Sequence, residues 1–325
     1  MKICLVGPGI MQIPPIGWGA VEILIWDYYS ELKKKGVDVT IINKMRNNGK
    51  EQLDPNTLYS RELIKEINMG NFDFVHLHYD VMYHILPYLN CEKKALTSHY
   101  PYIDNLNRHK NDGYVQIFNF MVNDKKIYNY VLADKDMKVL EHFGANKDRI
   151  VKIKNGINSS LFKFEKNPKK IDKTLYLGKI DSRKNQYMYQ SIDSIDFVGP
   201  LNCNRFVRNK NYLGSWTRED IHGKLTNYGN LLLLSKGEAD PLVIKEALIA
   251  GLGVVVNFTS GQNLDDKPFI TLIPNDKVND LTYIKEKLDE NRNISINMRE
   301  EIRNYGISKF DISIECKKYI KKINI

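Results

Sequence analysis

The feature that most constrains this chain is an alternation of short apolar runs with helical patterns that occurs twice, with one polar break between the two series. Residues 2–6 (KICLV) are closed by Gly7-Pro8-Gly9, residues 37–42 (VDVTII) form a second apolar run, and residues 21–35 between them carry a helical pattern. That is a βαβ unit. The alternation continues with strands expected over 72–77, 95–98, 131–133 and 150–153, and helices over 61–69, 114–128 and 135–143. Strands alternating with helices imply a parallel sheet covered on both faces. The segment FKFEKNPKKIDK at 162–173 is polar, lysine-rich and contains a proline, as linkers do. After it the pattern starts afresh, with strands expected over 174–178, 195–198, 231–234, 253–256 and 270–273 and helices over 218–228, 241–250 and 278–290. A last helix over 309–323 carries apolar residues at Ile312, Cys316, Tyr319 and Ile320 and has no strand after it, so it can dock on either domain.

Length and composition agree with this reading. A chain of 325 residues is long for one compact domain and comfortable for two. A hydrophobic content of 42% with 27% charged residues excludes collagen-like and disordered classes. No 18-residue apolar run exists, and the N-terminal segment breaks at Gly7-Pro8-Gly9 before a signal-peptide core forms, so the expected location is cytoplasmic. Cys4, Cys91, Cys203 and Cys316 stand singly without metal-type spacing, which fits a reducing compartment. A net charge of +9 suits anionic partners: sugar nucleotides, an anionic membrane surface, or nucleic acid. Heavy use of lysine, asparagine and isoleucine makes part of that excess compositional, and the clusters at 33–35 and 317–322 fall on expected helices as solvated faces.

The residues with chemical potential lie at strand ends. Asp240-Pro241 reads as an N-cap followed by proline at the first helical position. The next amides, on Leu242 and Val243, then sit at the positive end of a helix dipole, a place suited to a diphosphate. Glu238 and Glu246 bracket that helix start and are placed to accept hydrogen bonds from sugar hydroxyls; a capped surface helix with incidental glutamates fits the same residues. In GKIDSRKNQ, Lys179 and Lys184 occupy a β-to-α loop at the carboxyl end of a parallel strand, where doubly wound folds bind ligands; ordinary loop lysines fit equally. In PPIGWGAVE, Gly17 and Gly19 permit close backbone approach beside the flat face of Trp18. GPGIMQ lacks the third glycine of a dinucleotide fingerprint, which argues against an oxidoreductase. His76 and His78 alternate on one strand without matched metal ligands, whereas His99 follows a strand at its carboxyl end and is the better functional candidate.

Taken together these segments resemble the retaining family-four glycosyltransferases of the GT-B fold. GWGAVE resembles the family's glycine-rich first loop, FDFVHLHYD its following strand, LTSHY its active-site histidine strand and KNGINSSLF its end-of-domain signature. GKIDSRKN is similar to its phosphate-binding basic pair, NYLG to the strand near the base, and SKGEADPLVIKEALIAGLGVVV to its paired-glutamate motif. The resemblance implies an α/β chain of two Rossmann-like domains facing a cleft: an acceptor-side domain at 1–165, a donor domain at 166–307, and a helix at 308–325 crossing back to the first. It implies a metal-independent hexosyltransferase-like enzyme that retains anomeric configuration and uses a UDP- or GDP-linked sugar as substrate, with no cofactor and an unspecified acceptor hydroxyl. Lys179 and Lys184 would bind the diphosphate together with the amides of Leu242 and Val243, Glu246 the ribose, and Glu238 the transferred sugar. His99 would contact the sugar near the reacting carbon, and Gly17 and Gly19 would lie near the phosphates and acceptor. Two departures matter: Lys179 stands where arginine is usual, so a point charge replaces a bidentate fork, and the chain is short for the family, so reduced N-terminal loops around the acceptor pocket are expected. The rivals are a sugar-nucleotide epimerase or hydrolase of the same fold, a glycosyltransferase acting on modified DNA bases, and a non-catalytic nucleic-acid-binding protein. The presence of Glu238, Glu246, Lys184 and His99 together argues against a degenerate site.

Overall fold

The structure is a computed structural model that describes residues 1–47 and 53–323. Residues 324 and 325, the end of the expected 308–325 segment, lie outside the described residues. The chain forms two compact units, one of Met1–Pro15, Gly19–Gly156 and the residues from Ile312 onward, the other of Ile16–Trp18 and Ile157–Asp311.

The first unit runs β1 (Lys2–Val6), α1 (Ala20–Lys34), β2 (Asp38–Ile42), α2 (Leu58–Met69), β3 (Phe74–Leu77), β4 (Lys93–Thr97), α3 (Leu106–His109), α4 (Val115–Asn123), β5 (Tyr128–Val131), α5 (Asp134–His142) and β6 (Ile150–Lys152). Among the described residues its six strands make one sheet in the order β2-β1-β3-β4-β5-β6, with every pairing parallel. Order reverses at β1, as in doubly wound folds. Ile3, Leu5, Phe74, Val75, Ala95 and Leu96 are fully buried, as strands covered on both faces require.

The second unit runs β7 (Lys170–Leu177), β8 (Ile195–Val198), α6 (Arg218–Lys224), β9 (Tyr228–Leu233), α7 (Leu242–Ile249), β10 (Gly253–Asn257), β11 (Ile270–Ile273), α8 (Leu281–Asn297) and α9 (Arg299–Phe310). Its five described strands are again all parallel, ordered β11-β10-β9-β7-β8. The chain then enters α10 (Ile312–Ile323), which packs in the first unit, where Tyr319 is fully buried and its hydroxyl lies 2.9 Å from His76 Nδ1. His76 Nε2 is 2.7 Å from Thr97 Oγ1, so His76 is a hydrogen-bonded core residue. Among the described residues no helix is long and apolar enough to cross a membrane.

Both expected sheets are present, while several helix limits differ from the sequence pattern. The helix expected over 114–128 ends at Asn123, because Asp124 Oδ1 accepts from the amides of Lys126 (2.8 Å) and Ile127 (3.2 Å) and turns the chain into β5. The helix expected over 218–228 yields to β9 at Tyr228. The helix α9 is absent from the sequence reading. Its inward residues are Arg299, Ile302, Gly306 and Phe310, so half of that stripe is not apolar. Arg299 is 2% exposed and donates to the carbonyls of Glu165 (2.8 Å), Tyr228 (3.0 Å) and Thr226 (2.6 Å). Gly306 lets α9 lie directly on α7, since a Cβ there would come 2.7 Å from Ile249 N.

At the start of α7 the expected capping arrangement is shifted. Pro241 occupies the N-cap position and the helix begins at Leu242, while the Asp240 carboxylate pairs with the buried ammonium of Lys245 and accepts from Asn263 Nδ2 at 3.0 Å. Lys245 is 1% exposed, and a buried ammonium needs a counter-charge more than the helix needs a side-chain cap.

Two stability outcomes follow from these contacts. Asp240→Ala strands the Lys245 charge and is expected to cost about 3–5 kcal/mol in denaturant unfolding, whereas Asp240→Ala with Lys245→Met recovers most of it. Gly199 has φ 146° and a Cβ there would meet Gly178 O at 2.0 Å. Gly199→Ala should therefore cost at least about 1–3 kcal/mol, while Gly223→Ala, in an open stretch of α6, should be neutral or stabilising in the same measurement.

Candidate functional site

The carboxyl-terminal halves of β7 and β9, Leu175–Leu177 and Leu231–Leu233, are apolar and buried, and a cluster of charged side chains begins where the two strands leave the sheet. After Leu177 comes Gly178, whose φ of 148° a side chain would not tolerate and whose missing Cβ leaves room for the Lys184 stem, 3.2 Å from where that atom would be. Asp181 Oδ1 accepts from the amides of Arg183 (3.1 Å) and Lys184 (2.8 Å), an Asx-type turn, and Asn185 closes the loop in the left-handed region at φ 61°. The buried Gln186 amide donates to Lys179 O at 3.0 Å. Tyr176, fully buried in β7, donates its hydroxyl to Lys184 O and accepts from Leu234 N at 3.2 Å. The 178–185 loop is thereby tied to the end of β9.

The residues after β9 complete a charged cluster. Lys184 Nζ lies 2.7 Å and Arg183 Nη1 2.9 Å from the same oxygen, Glu238 Oε1. Arg183 Nη1 also bonds Gly237 O and reaches Ser235 Oγ at 3.4 Å. Burial alone would raise the Glu238 carboxyl, but the Lys184 and Arg183 cations outweigh it and hold the group below the ordinary glutamate value. Glu238 is therefore an ionised, nearly buried carboxylate beside two cations.

Glu246 lies on α7 and is 3% exposed. Its Oε1 accepts from Arg218 Nη1 at 2.7 Å, and Arg218 Nη2 is 3.2 Å from His222 Nε2. A guanidinium only donates, so His222 accepts at Nε2 and carries its proton on Nδ1. Burial, then the neighbouring Arg218 charge, pushes His222 down to about 4. Arg218 is itself placed by a capping box of Thr217 and Asp220 at the start of α6, and its amide donates to Ile16 O at 3.1 Å.

The expected site residues thus fall into two sets. Lys184 and Glu238 are in contact, Glu246 lies on the α7 helix that begins at Leu242 and continues through Val243, and Lys179 lies 5.8 Å over the ring of Trp18, in the same compact unit as Gly17. A Cβ on Gly17 would meet nothing closer than Trp216 O at 3.8 Å, so no crowding requires glycine there. Gly19 and His99 belong to the first unit. Gly19 precedes α1 at φ 132°, a backbone conformation that favours glycine, while the 3.0 Å approach of a Cβ to Glu22 Oε2 is one the flexible glutamate can relieve. His99 is half-buried after β4, its ring 6.5 Å from that of the buried His78. Nearby, Asp80 accepts from Ser98 Oγ at 2.6 Å and Tyr114 Oη at 2.7 Å, and burial raises its carboxyl in spite of those bonds.

Arg183, Arg218, Ser235 and the Asp240–Lys245 pair were not singled out from sequence. The signal for Arg183 was its place directly before Lys184, and for Arg218 the T-x-x-D capping pattern that begins at Thr217.

No family model matches the sequence, and no curated protein matches it by sequence. Solved structures do match the fold. AviGT4, a glycosyltransferase involved in avilamycin A biosynthesis, aligns with TM-score 0.65 at 13% identity over 100% of this chain and 97% of that one. Anabaena HepE in complex with UDP-glucose aligns with TM-score 0.70 at 12% identity, covering 100% and 99%. Sucrose-phosphate synthase from Thermosynechococcus elongatus aligns with TM-score 0.71 at 14% identity, covering 99% and 98%. The chain therefore has the GT-B fold of these glycosyltransferases, two parallel-sheet α/β domains of six and five strands.

Proposed function

We propose that the chain is a glycosyltransferase that moves a sugar from a UDP- or GDP-linked donor to an acceptor hydroxyl with retention of configuration. The observation that carries this reading is the convergence of Lys184, Arg183 and Glu238 at the strand ends from which the chain enters the buried helix α7. A related fold captured with UDP-glucose supports a nucleotide-sugar donor.

In this reading Lys179 and Lys184 neutralise the donor diphosphate. The first-turn amides of α7, on Leu242 and Val243, have no carbonyl four residues back within the helix and add to the anion site. Charge developing on the departing diphosphate meets fixed cations and oriented amides, so the step needs no divalent ion. Glu246, held by Arg218, accepts from the ribose. Glu238 accepts from the sugar, whose ring gains positive charge as the glycosidic bond breaks.

Three measurements test the reading. Lys184→Ala should weaken nucleoside diphosphate binding by about 1.5–3 kcal/mol in calorimetry and leave nucleoside binding nearly unchanged, because the lost contact is charge-assisted and made to phosphate. Equal losses for both ligands would exclude that role. Turnover should persist in EDTA; abolition by chelation with rescue by a divalent cation would show that the diphosphate charge is carried otherwise. Ribose contacts are alike in ground and transition states, so Glu246→Ala should mainly raise the donor KM. Glu238→Ala should mainly lower kcat, and interchanged phenotypes would reverse the two assignments.

A further inference from the structure

Arg183 was given no contact with the donor in the chemistry just described, yet its guanidinium is held at several points. Its backbone is pinned by Asp181, and its guanidinium touches three successive polar groups of the segment after β9: Ser235 Oγ, Gly237 O and Glu238 Oε1. Lys184 meets that same Oε1 from the adjacent position, and neither cation engages Oε2. The side chain of Arg183 is 37% exposed, against 11% for Lys184, so the guanidinium stands nearer solvent than the ammonium.

We propose that Arg183 is a positioning residue: together with Lys184 it grips one oxygen of Glu238, and so presents the other to a hydroxyl of the donor sugar. This rests on the reading that the second unit binds a nucleoside diphosphate sugar.

Glu238 and the donor diphosphate are anions that compete for Lys184. A single lysine shared between Glu238 and a diphosphate is drawn toward the stronger charge, and an ammonium on a flexible stem imposes little direction on what it leaves behind. A planar guanidinium whose Nη1 is bonded both to Glu238 Oε1 and to Gly237 O is held in one orientation, so Glu238 keeps its place when Lys184 turns to phosphate. The guanidinium's bond to the backbone immediately before Glu238 makes the carboxylate and its support one rigid group. The other groups facing this carboxylate are Ser235, whose hydroxyl adds to the lowering, and Tyr176, whose buried phenol is pushed well above its ordinary value and stays protonated. The two cations are thus what keeps Glu238 ionised in a nearly buried place.

The test is calorimetric titration of the full chain with UDP, GDP and ADP and with the glucose conjugate of each. Wild type should bind at least one of these pairs. For that pair, Arg183→Ala should leave the diphosphate Kd within about threefold but weaken the glucose conjugate about tenfold or more, the loss of a charge-supported hydrogen bond. Arg183→Lys, which keeps charge without the planar guanidinium, should recover part of the loss, and melting temperatures of both variants report whether they fold. In a Glu238→Gln background Arg183→Ala should have almost no further effect on the glucose conjugate, since the two residues act as one. The sign of the pH effect is fixed too. With one cation gone the Glu238 pKa rises, so affinity for the glucose conjugate should fail at a higher pH in Arg183→Ala than in wild type, a shift that a purely structural role would not produce. Equal losses for diphosphate and conjugate would make Arg183 a phosphate ligand and overturn the proposal, as would no loss, an unmoved pH profile, or additivity with Glu238→Gln. Failure of wild type to bind all six probes would instead sink the donor reading itself, and the proposal with it.

Discussion

A parallel strand covered on both faces has no room for an unpaired charge along its length, so whatever polar chemistry such a sheet supports must gather where the strands end. In the second unit this constraint is visible residue by residue. Leu175, Tyr176 and Leu177 of β7 and Leu231, Leu232 and Leu233 of β9 are buried, and charged side chains follow only past Gly178 and past Ser235, while the buried Asp196 within β8 is paired with Lys170 of β7. Because β7 and β9 are neighbours in the sheet and point the same way, their exits lie side by side. Lys184 and Glu238, 54 positions apart in sequence, are consequently in contact.

Once gathered, the charges are arranged in pairs: Glu238 with Lys184 and Arg183, Glu246 with Arg218, and Asp240 with Lys245. The pairs differ in what they can do. Asp240 and Lys245 are both about 2% exposed, and their bond fixes the entry to α7. Arg218, at 15% side-chain exposure, and Arg183, at 37%, stand nearer solvent than the carboxylates they hold, Glu246 at 4% and Glu238 at 10%. A buried pair of the first kind contributes mainly a unique geometry, since its Coulomb attraction is largely spent on desolvation.

The glycines of the two units serve the same end by different means. Gly178 and Gly199 abut at the exits of β7 and β8, where a single added carbon on Gly199 would strike the Gly178 carbonyl. Gly306 brings α9 against α7 and so backs the helix that carries Glu246. In the first unit Gly19 supplies the backbone conformation from which α1 starts.

The amino-acid sequence by itself determined the class of fold and the chain order of its strands. Apolar runs of strand length and helical periodicities are local signals that survive without knowledge of the partner surface. It also singled out Lys184 and Glu238, charged residues just past apolar runs, and Glu246, which lies within the helix that follows. Helix limits were less legible where a side chain such as Asp124 intervenes, and α9 escaped because its inward stripe carries Arg299 and Gly306, residues whose burial depends on carbonyls and a neighbouring helix far away in sequence. Only the tertiary structure decided that Arg183 faces Glu238, that Arg218 holds Glu246, and that Asp240 answers Lys245 instead of capping α7. The reason is physical: a loop cation shows no preference for one carboxylate over another until the sheet order sets which strand ends are neighbours, and that order is a long-range property no local pattern encodes.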